Sequence, residues 1–185
     1  EVRDAAGRTQ AHGIQTWVAL PRAEEEREPS FAHHGAASLP RIERPGVILT
    51  VIAGAAYGQR SPVEVFSPTL YVDAQLADGA RIEVPDEHVQ RACYVAQGRI
   101  EIGGEAYGEG QFIVLAADVG PVPVRALQAA RVMLAGGAPI DGPRHIDWNF
   151  VSSSRERIAA ARRDWRERRF APVPGDDGRI PLPDE

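Results

Sequence analysis

The sequence contains no lysine: all 21 of its basic residues are arginine, set against 26 acidic ones. The net charge of -5 argues against a nucleic-acid-binding surface spread over the chain, which would need a basic balance. Arginine without lysine reads as base-composition bias, not as a recognition device. There is one cysteine, Cys93, which excludes an internal disulfide. It lies in the apolar run Ala92-Cys93-Tyr94-Val95, so it reads as a buried structural thiol, and a reducing, cytoplasmic compartment is expected. No apolar run approaches the ~20 residues that span a bilayer, so no membrane association is expected. Neither a G-x-S-x-G elbow nor a phosphate-cradling glycine loop occurs, which removes the serine-hydrolase and nucleotide-binding readings.

Glycine (18) and proline (15) are abundant while aromatics are only 6%, a balance that favours short strands and tight turns over long helices. From Gly46 onward the chain reads as strands punctuated by turns. Val47 to Ile52, Thr69 to Leu76, Arg81 to Val84, Cys93 to Val95, Arg99 to Ile102, Phe112 to Leu115, Val122 to Leu127 and Arg131 to Leu134 are the candidates. Turn signals recur every ~8–12 residues, so an all-β, antiparallel jelly roll or barrel over 46–136 is predicted, because closure hides the edges. The single predicted α-helix is C-terminal, near 153–169. There Ser153 and Glu156 have capping-box spacing, and Ile158, Ala161 and Trp165 recur on one face. Ile158 and Trp165 are expected to be buried against a barrel. Arg155, Arg162, Arg166 and Arg169 read as a solvated face interleaved with acids. Residues 22–45, with a charged run and three prolines, read as a linker with little regular structure.

Three blocks carry a family resemblance. His12-Gly13-Ile14-Gln15-Thr16-Trp17-Val18-Ala19-Leu20-Pro21, read as a strand, resembles the HG-[IL]-Q-x-W-V-x-L-P segment of pirins, two-domain proteins of the cupin superfamily. Ile52 to Gly58, Ser61-Pro62-Val63 and Ser67 to Tyr71 resemble the opening of the second pirin cupin. Gly137 to Ile140, Gly142-Pro143 and Trp148-Asn149-Phe150-Val151 resemble the stretch before its final helix. The resemblance runs over roughly residues 8–183. It implies four segments: 1–21, the terminal strand of a truncated N-terminal cupin; 22–45, a linker; 46–150, the C-terminal cupin; and 151–185, helix and tail.

In pirins three His and one Glu of the first cupin hold one iron, and imidazoles with a carboxylate suit Fe(II). The last of those ligands, a His-x-Glu pair, stand shortly before the first block. Glu1-Val2-Arg3 does not contain that pair. The resemblance therefore implies Fe(II) bound by residues upstream of this chain and none bound by the chain itself, so no catalytic, cofactor or metal residue is assigned within it. The second barrel offers Val84-Pro85-Asp86 where His-Pro-His would stand, with Gln90 at a further motif position and His88 two residues out of register. His12 reads as a structural hydrogen-bonding residue and His145 as shaping a turn. The adjacent His33 and His34 point apart in an extended chain and do not suit one ion.

Two functions follow from the resemblance. Some pirins are quercetin 2,3-dioxygenases, in which the metal would bind the hydroxyl and carbonyl of a flavonol and direct O2 to its ring. Others are regulators that bind a protein partner and respond to the redox state of iron. A small-molecule store or sensor is the third reading. No direct contact with nucleic acid is expected in any of them.

Overall fold

In the computed structural model, which describes residues 13–172, 175, 178 and 180–183, the predicted strands pair into two antiparallel sheets. The larger is built from β1 (Arg41–Arg44), β2 (Val47–Ala56), β3 (Gln59–Arg60), β4 (Thr69–Leu76), β6 (Gln90–Gln97), β9 (Phe112–Leu115) and β11 (Ala130–Gly137). Its order is β1-β2-β4-β11-β6-β9, with β3 on β2. The smaller, β5-β10-β7-β8, uses β5 (Arg81–Val84), β7 (Arg99–Ile102), β8 (Glu105–Gly108) and β10 (Val122–Ala126).

The period-2 pattern explains why these strands form and what they bury. In β4, Leu70, Val72, Ala74 and Leu76 all point inward and are buried. The register carries one apolar row across the large sheet, Val51, Val72, Leu134 and Cys93, with Ile113 at its end. The small sheet answers with Ile82, Val124 and Ile102. Residues from both sheets form one core cluster, so the hydrophobic core lies between them. Each fully buried Leu, Ile or Val contributes roughly 1.5–3 kcal/mol by transfer alone. The opposite face of the large sheet carries a mixed row, Thr50, Asp73, Met133, Tyr94 and Phe112. Asp73 is buried there because Arg131 clamps it with two 2.8 Å hydrogen bonds.

Two sequence readings need correction. The stretch 22–45 holds two short 3-10 turns, Arg22–Glu24 and Ala36–Ser38, and then β1, which pairs along its whole length with β2. Its pattern Arg-Ile-Glu-Arg offers one apolar side chain, Ile42, too weak a signal in sequence but enough to pack against the core. Conversely, residues 13–21 join no strand; His12, which opens that block, lies outside the described residues. Apolar alternation gives a chain the capacity to be a strand, and only a neighbouring strand makes it one.

The chain divides into two compact units, residues 21–143 and a second that gathers the residues up to Leu20 with those from Arg144 onward. In the second, β12 (His145–Asp147) and β13 (Phe150–Ser152) form a hairpin, followed by α1 (Arg155–Arg166). The helix starts one residue later than the serine spacing suggests. Ser154, not Ser153, is the N-cap: its hydroxyl accepts from the Arg157 N–H at 3.1 Å and donates to Glu156 Oε2 at 2.8 Å. The helix ends in a Schellman motif, with the N–H of Arg169 on Asp164 O and that of Arg168 on Trp165 O. Arg168 takes the left-handed position, φ 57°, that glycine usually fills.

Ile158 is buried as expected and Ala161 with it, but Trp165 is half-buried and packs within its own unit. Its ring lies 5.2 Å from Trp148 and 5.6 Å from Phe170, and its indole N–H donates to Ile180 O at 2.9 Å. No helix among the described residues is long and apolar enough to cross a membrane.

Gly98 shows how tightly the turns are set. Its φ is +84°, and a Cβ there would lie 2.2 Å from the Ala129 carbonyl oxygen and 2.8 Å from Ala130 Cα. Gly103, φ +60°, faces open space. Gly103→Ala is expected to cost about 1 kcal/mol, the left-handed penalty alone. Gly98→Ala should cost at least about 3 kcal/mol, because backbone must also move. Urea denaturation of the two variants checks this ordering.

Candidate functional site

The end of the barrel where β5 passes into β6 is the natural place to look for chemistry, since the motif comparison sets its ligand positions there. Val84 closes β5 with its side chain wholly inside the core. Asp86 is exposed, and so is Gln90 at the start of β6. His88 is half-buried, and its Nε2 lies 2.9 Å from Ala55 O, so the Nε2 proton is donated to that carbonyl and ties the 85–89 loop to β2. Neither Val84 nor Asp86 faces His88 as part of a donor set.

The dominant group at this end is Arg91, which the sequence reading passed over. Alternation along β6 turns Arg91 inward with Cys93 and Val95, and only 2% of it is exposed. Its Nη1 donates to Pro85 O at 3.2 Å and Gly120 O at 3.0 Å. Its Nη2 donates to Val119 O at 2.5 Å and Ala116 O at 3.4 Å. Its Nε is buried without a hydrogen-bond partner among the described residues. The guanidinium thus staples the 85–89 loop to the 116–121 loop through carbonyl dipoles, with no carboxylate among these partners. The one signal in sequence was an arginine at an inward parity position in an apolar strand.

Two further groups complete the site. Tyr57 and Gly58, φ 54° and 72°, form the two-residue turn between β2 and β3, the backbone of a type I′ hairpin. The Tyr57 phenol donates to Glu83 O at 2.6 Å, and its backbone N–H donates to Glu87 Oε1 at 3.2 Å. Burial, reinforced by the nearby Cys93, pushes the phenol above its ordinary range. Burial likewise pushes the Cys93 thiol from 9.0 up to about 12, against a smaller opposing pull from Arg91. A thiol held protonated in this way is neither a nucleophile nor a ready metal ligand.

The described histidines fall on separate elements. His33 is exposed and His34 half-buried in the 22–45 stretch, while His145 lies in β12. Among the described residues no group of three or more His, Cys, Asp or Glu side chains converges. At the mouth of the barrel stand an aliphatic side chain, a fixed cation and a protonated thiol, where Fe(II) requires imidazoles and carboxylates. The residues present do not fit an iron ion.

Outside the core, the 21–143 unit has two open grooves. One, about 450 Å³, is apolar and lined by Val89, Ala92, Phe112, Val114 and Ala135. The other, about 590 Å³, is more polar and lined by Glu43, Arg44, Gln75, Gln97 and Arg131 among others.

A family model described as the pirin C-terminal cupin domain matches residues 71–171. A pirin-like protein of Caulobacter vibrioides is 45% identical over 185 residues, covering 99% of this chain and 63% of that protein. Pirin of Rattus norvegicus is 30% identical over 169 residues, covering 84% of this chain and 56% of the relative. The crystal structure of quercetin 2,3-dioxygenase from Acinetobacter baumannii matches with a TM-score of 0.81 at 27% identity, over 90% of this chain and 56% of the other. The two-sheet architecture is therefore the all-β cupin fold. The chain spans between half and two thirds of the length of these relatives.

Two outcomes test the site. Replacing Arg91 with Met leaves the carbonyls of Pro85, Ala116, Val119 and Gly120 without their donor. A stability loss of about 3 kcal/mol or more is expected, with faster amide exchange confined first to 116–121. For Cys93, the unfolded thiol ionises near 9.0 and the folded one near 12. The unfolded state therefore loses its proton first, so stability is present below pH 9 and falls as pH rises from there. By pH about 10.5 the loss should reach roughly 2 kcal/mol, and Cys93→Ala should remove that part of the alkaline decline. Urea midpoints at both pH values measure it.

Proposed function

The chain belongs to the pirin family, and from that premise we propose that it forms the C-terminal cupin half of an iron-binding, two-domain protein with quercetin 2,3-dioxygenase-type activity on a flavonol-like substrate. Residues 1–21 are assigned to the end of the first cupin, 22–45 to the connection, 46–150 to the second cupin and 151–185 to helix and tail. The iron is assigned to the first cupin, outside this chain, and the protein to the cytoplasm, in keeping with its buried, unpaired Cys93. The observation that carries the reading is the match to a quercetin 2,3-dioxygenase structure over 90% of this chain. The donor-poor barrel mouth supports the placement of the metal elsewhere.

In this reading the chain's own residues hold shape and exclude water; they do not bind metal or transfer protons. The core between the sheets is aliphatic, and Arg91 ties the two mouth loops to each other.

The test is metal analysis and oxygen uptake with quercetin, on this chain and on the full-length protein side by side. Stoichiometric iron and quercetin turnover are expected in the full-length protein, with neither in residues 1–185 alone. Iron without turnover would transfer the function to a redox-responsive regulator that binds a protein partner. Iron and turnover in residues 1–185 alone would overturn the location of the site.

A further inference from the structure

Arg131 and Arg91 present the same edge of the guanidinium, the Nε–H and Nη2–H pair, to very different partners. On Arg131 that edge holds both oxygens of the Asp73 carboxylate, each at 2.8 Å. On Arg91 it is half empty. Nε is buried without a hydrogen-bond partner among the described residues, and Nη2 reaches Ala116 O only at 3.4 Å. The other donors are better served: Val119 O lies 2.5 Å from Nη2, and Nη1 donates to Pro85 O and Gly120 O. These partners include no carboxylate. The acids of the two adjoining loops, Asp86, Glu87 and Asp118, are exposed, and Glu87 accepts from the Tyr57 N–H. A cation that is only 2% exposed thus has carbonyl dipoles around it but no counter-charge. The edge it leaves open is the one that Arg131 fills with a carboxylate.

An apolar groove begins beside it. Arg91 and Ala117 form part of the wall of the 450 Å³ groove that Val89, Phe112 and Val114 also line. Ala117 follows Ala116, whose carbonyl makes the long contact with Nη2. Among the described residues Arg91 is the one charged member of the lining. Phe112 and Val114, on β9, are 59% and 75% exposed, so an apolar body laid there removes surface that water now covers. The bare Phe112 ring favours an aromatic body over an aliphatic one, since ring pairs gain beyond their buried area. A volume of this size suits a small molecule.

We propose that this groove binds an aromatic monocarboxylate, with the carboxylate on the Nε–Nη2 edge of Arg91 and the ring against Phe112 and Val114. Arg91 is covered in the unliganded chain, so the Ala116–Ala117 segment gives way as the ligand enters. The exchange is favourable at the guanidinium: one 3.4 Å bond to a neutral carbonyl is replaced by two charge-assisted bonds. The bonds to Pro85, Val119 and Gly120 stay in place and hold the guanidinium where the ligand meets it. Every residue of the site belongs to the 21–143 unit, and the assignment uses neither iron nor the first cupin.

Cinnamate is the probe, titrated into the full-length protein by calorimetry. Saturable one-to-one binding is expected, with the Arg91 Nε–H proton resonance moving downfield as its bond to the carboxylate forms. Cinnamamide, neutral and of the same shape, should bind at least about 10-fold more weakly, and acetate, which lacks the ring, should do no better. Val114 is exposed, so Val114→Glu leaves the core intact; it should weaken cinnamate at least about 10-fold by repulsion and lost apolar contact. Gln97→Glu, an exposed position lining the other groove, should change the affinity by less than about 2-fold, the ordinary size of a remote surface change. No binding up to about 10 mM cinnamate, weaker than any useful affinity, would overturn the site. So would equal binding of cinnamamide, an affinity indifferent to Val114→Glu, or an Arg91 Nε–H unmoved at saturation, since binding of those kinds lies elsewhere in the protein.

Discussion

A guanidinium held in an apolar interior by carbonyl dipoles is the constraint on which the end of the barrel depends. Burying a cation costs several kcal/mol unless its donors are met, and Arg91 meets that cost with carbonyls from two separate loops. The arrangement has two consequences. The loops 85–89 and 116–121 are tied to each other by one side chain. The guanidinium is also a donor-only group, so it offers no lone pair to a metal ion. A barrel closed in this way is a poor place for iron and a good place for a rigid support.

The second unit is organised by a different force. Trp148, Phe150, Trp165 and Phe170 form a continuous set of ring contacts, edge-on except for the stacked Phe150–Phe170 pair. Two backbone positions there depart from what residues of their kind prefer. Trp148 has φ 52° in the β12–β13 turn, and Arg168 takes the helix-ending left-handed conformation. Such positions cost of order 1 kcal/mol each and persist only where the surroundings over-determine them. For Trp148 the surroundings are the aromatic cluster its own ring joins. A turn that could have used glycine uses tryptophan because the side chain is worth more in packing than the backbone loses.

The sequence made the barrel legible because each central strand is amphipathic in the same sense. Leu70, Val72, Ala74 and Leu76 can be read inward with no knowledge of their partners, and Gly98 or the Gly103-Gly104 pair marks where the chain reverses. Where a strand depends on its neighbour, the same reading failed in both directions. Arg41–Arg44 looks like linker and becomes β1 because β2 is there to receive it. Residues 13–20 look like a strand and join no ladder. The helix start was legible to within one residue, three consecutive serines offering rival caps, whereas α1 ends at Arg166, short of the 169 the sequence suggested; the N–H of the capping Ser154 is held by Ser152 Oγ at 3.1 Å. Arg91 was illegible because an arginine in a strand ordinarily marks the solvent face.

The same distinction separates what this chain does by itself from what it does for a larger protein. Its core is self-sufficient, since both sheets supply the apolar rows that cover each other. At the barrel mouth the inward-turned polar side chains are engaged in structure, Arg91 on four carbonyls, Tyr57 on Glu83 and His88 on Ala55, while Asp86 and Gln90 stay exposed. Catalysis needs polar groups left unsatisfied by the fold, so that substrate or metal can satisfy them. Exposed apolar surface lies in both units, at Phe112 and Val114 in one and at Trp17 and Ile146 in the other. Apolar surface of that kind confers docking, not reactivity.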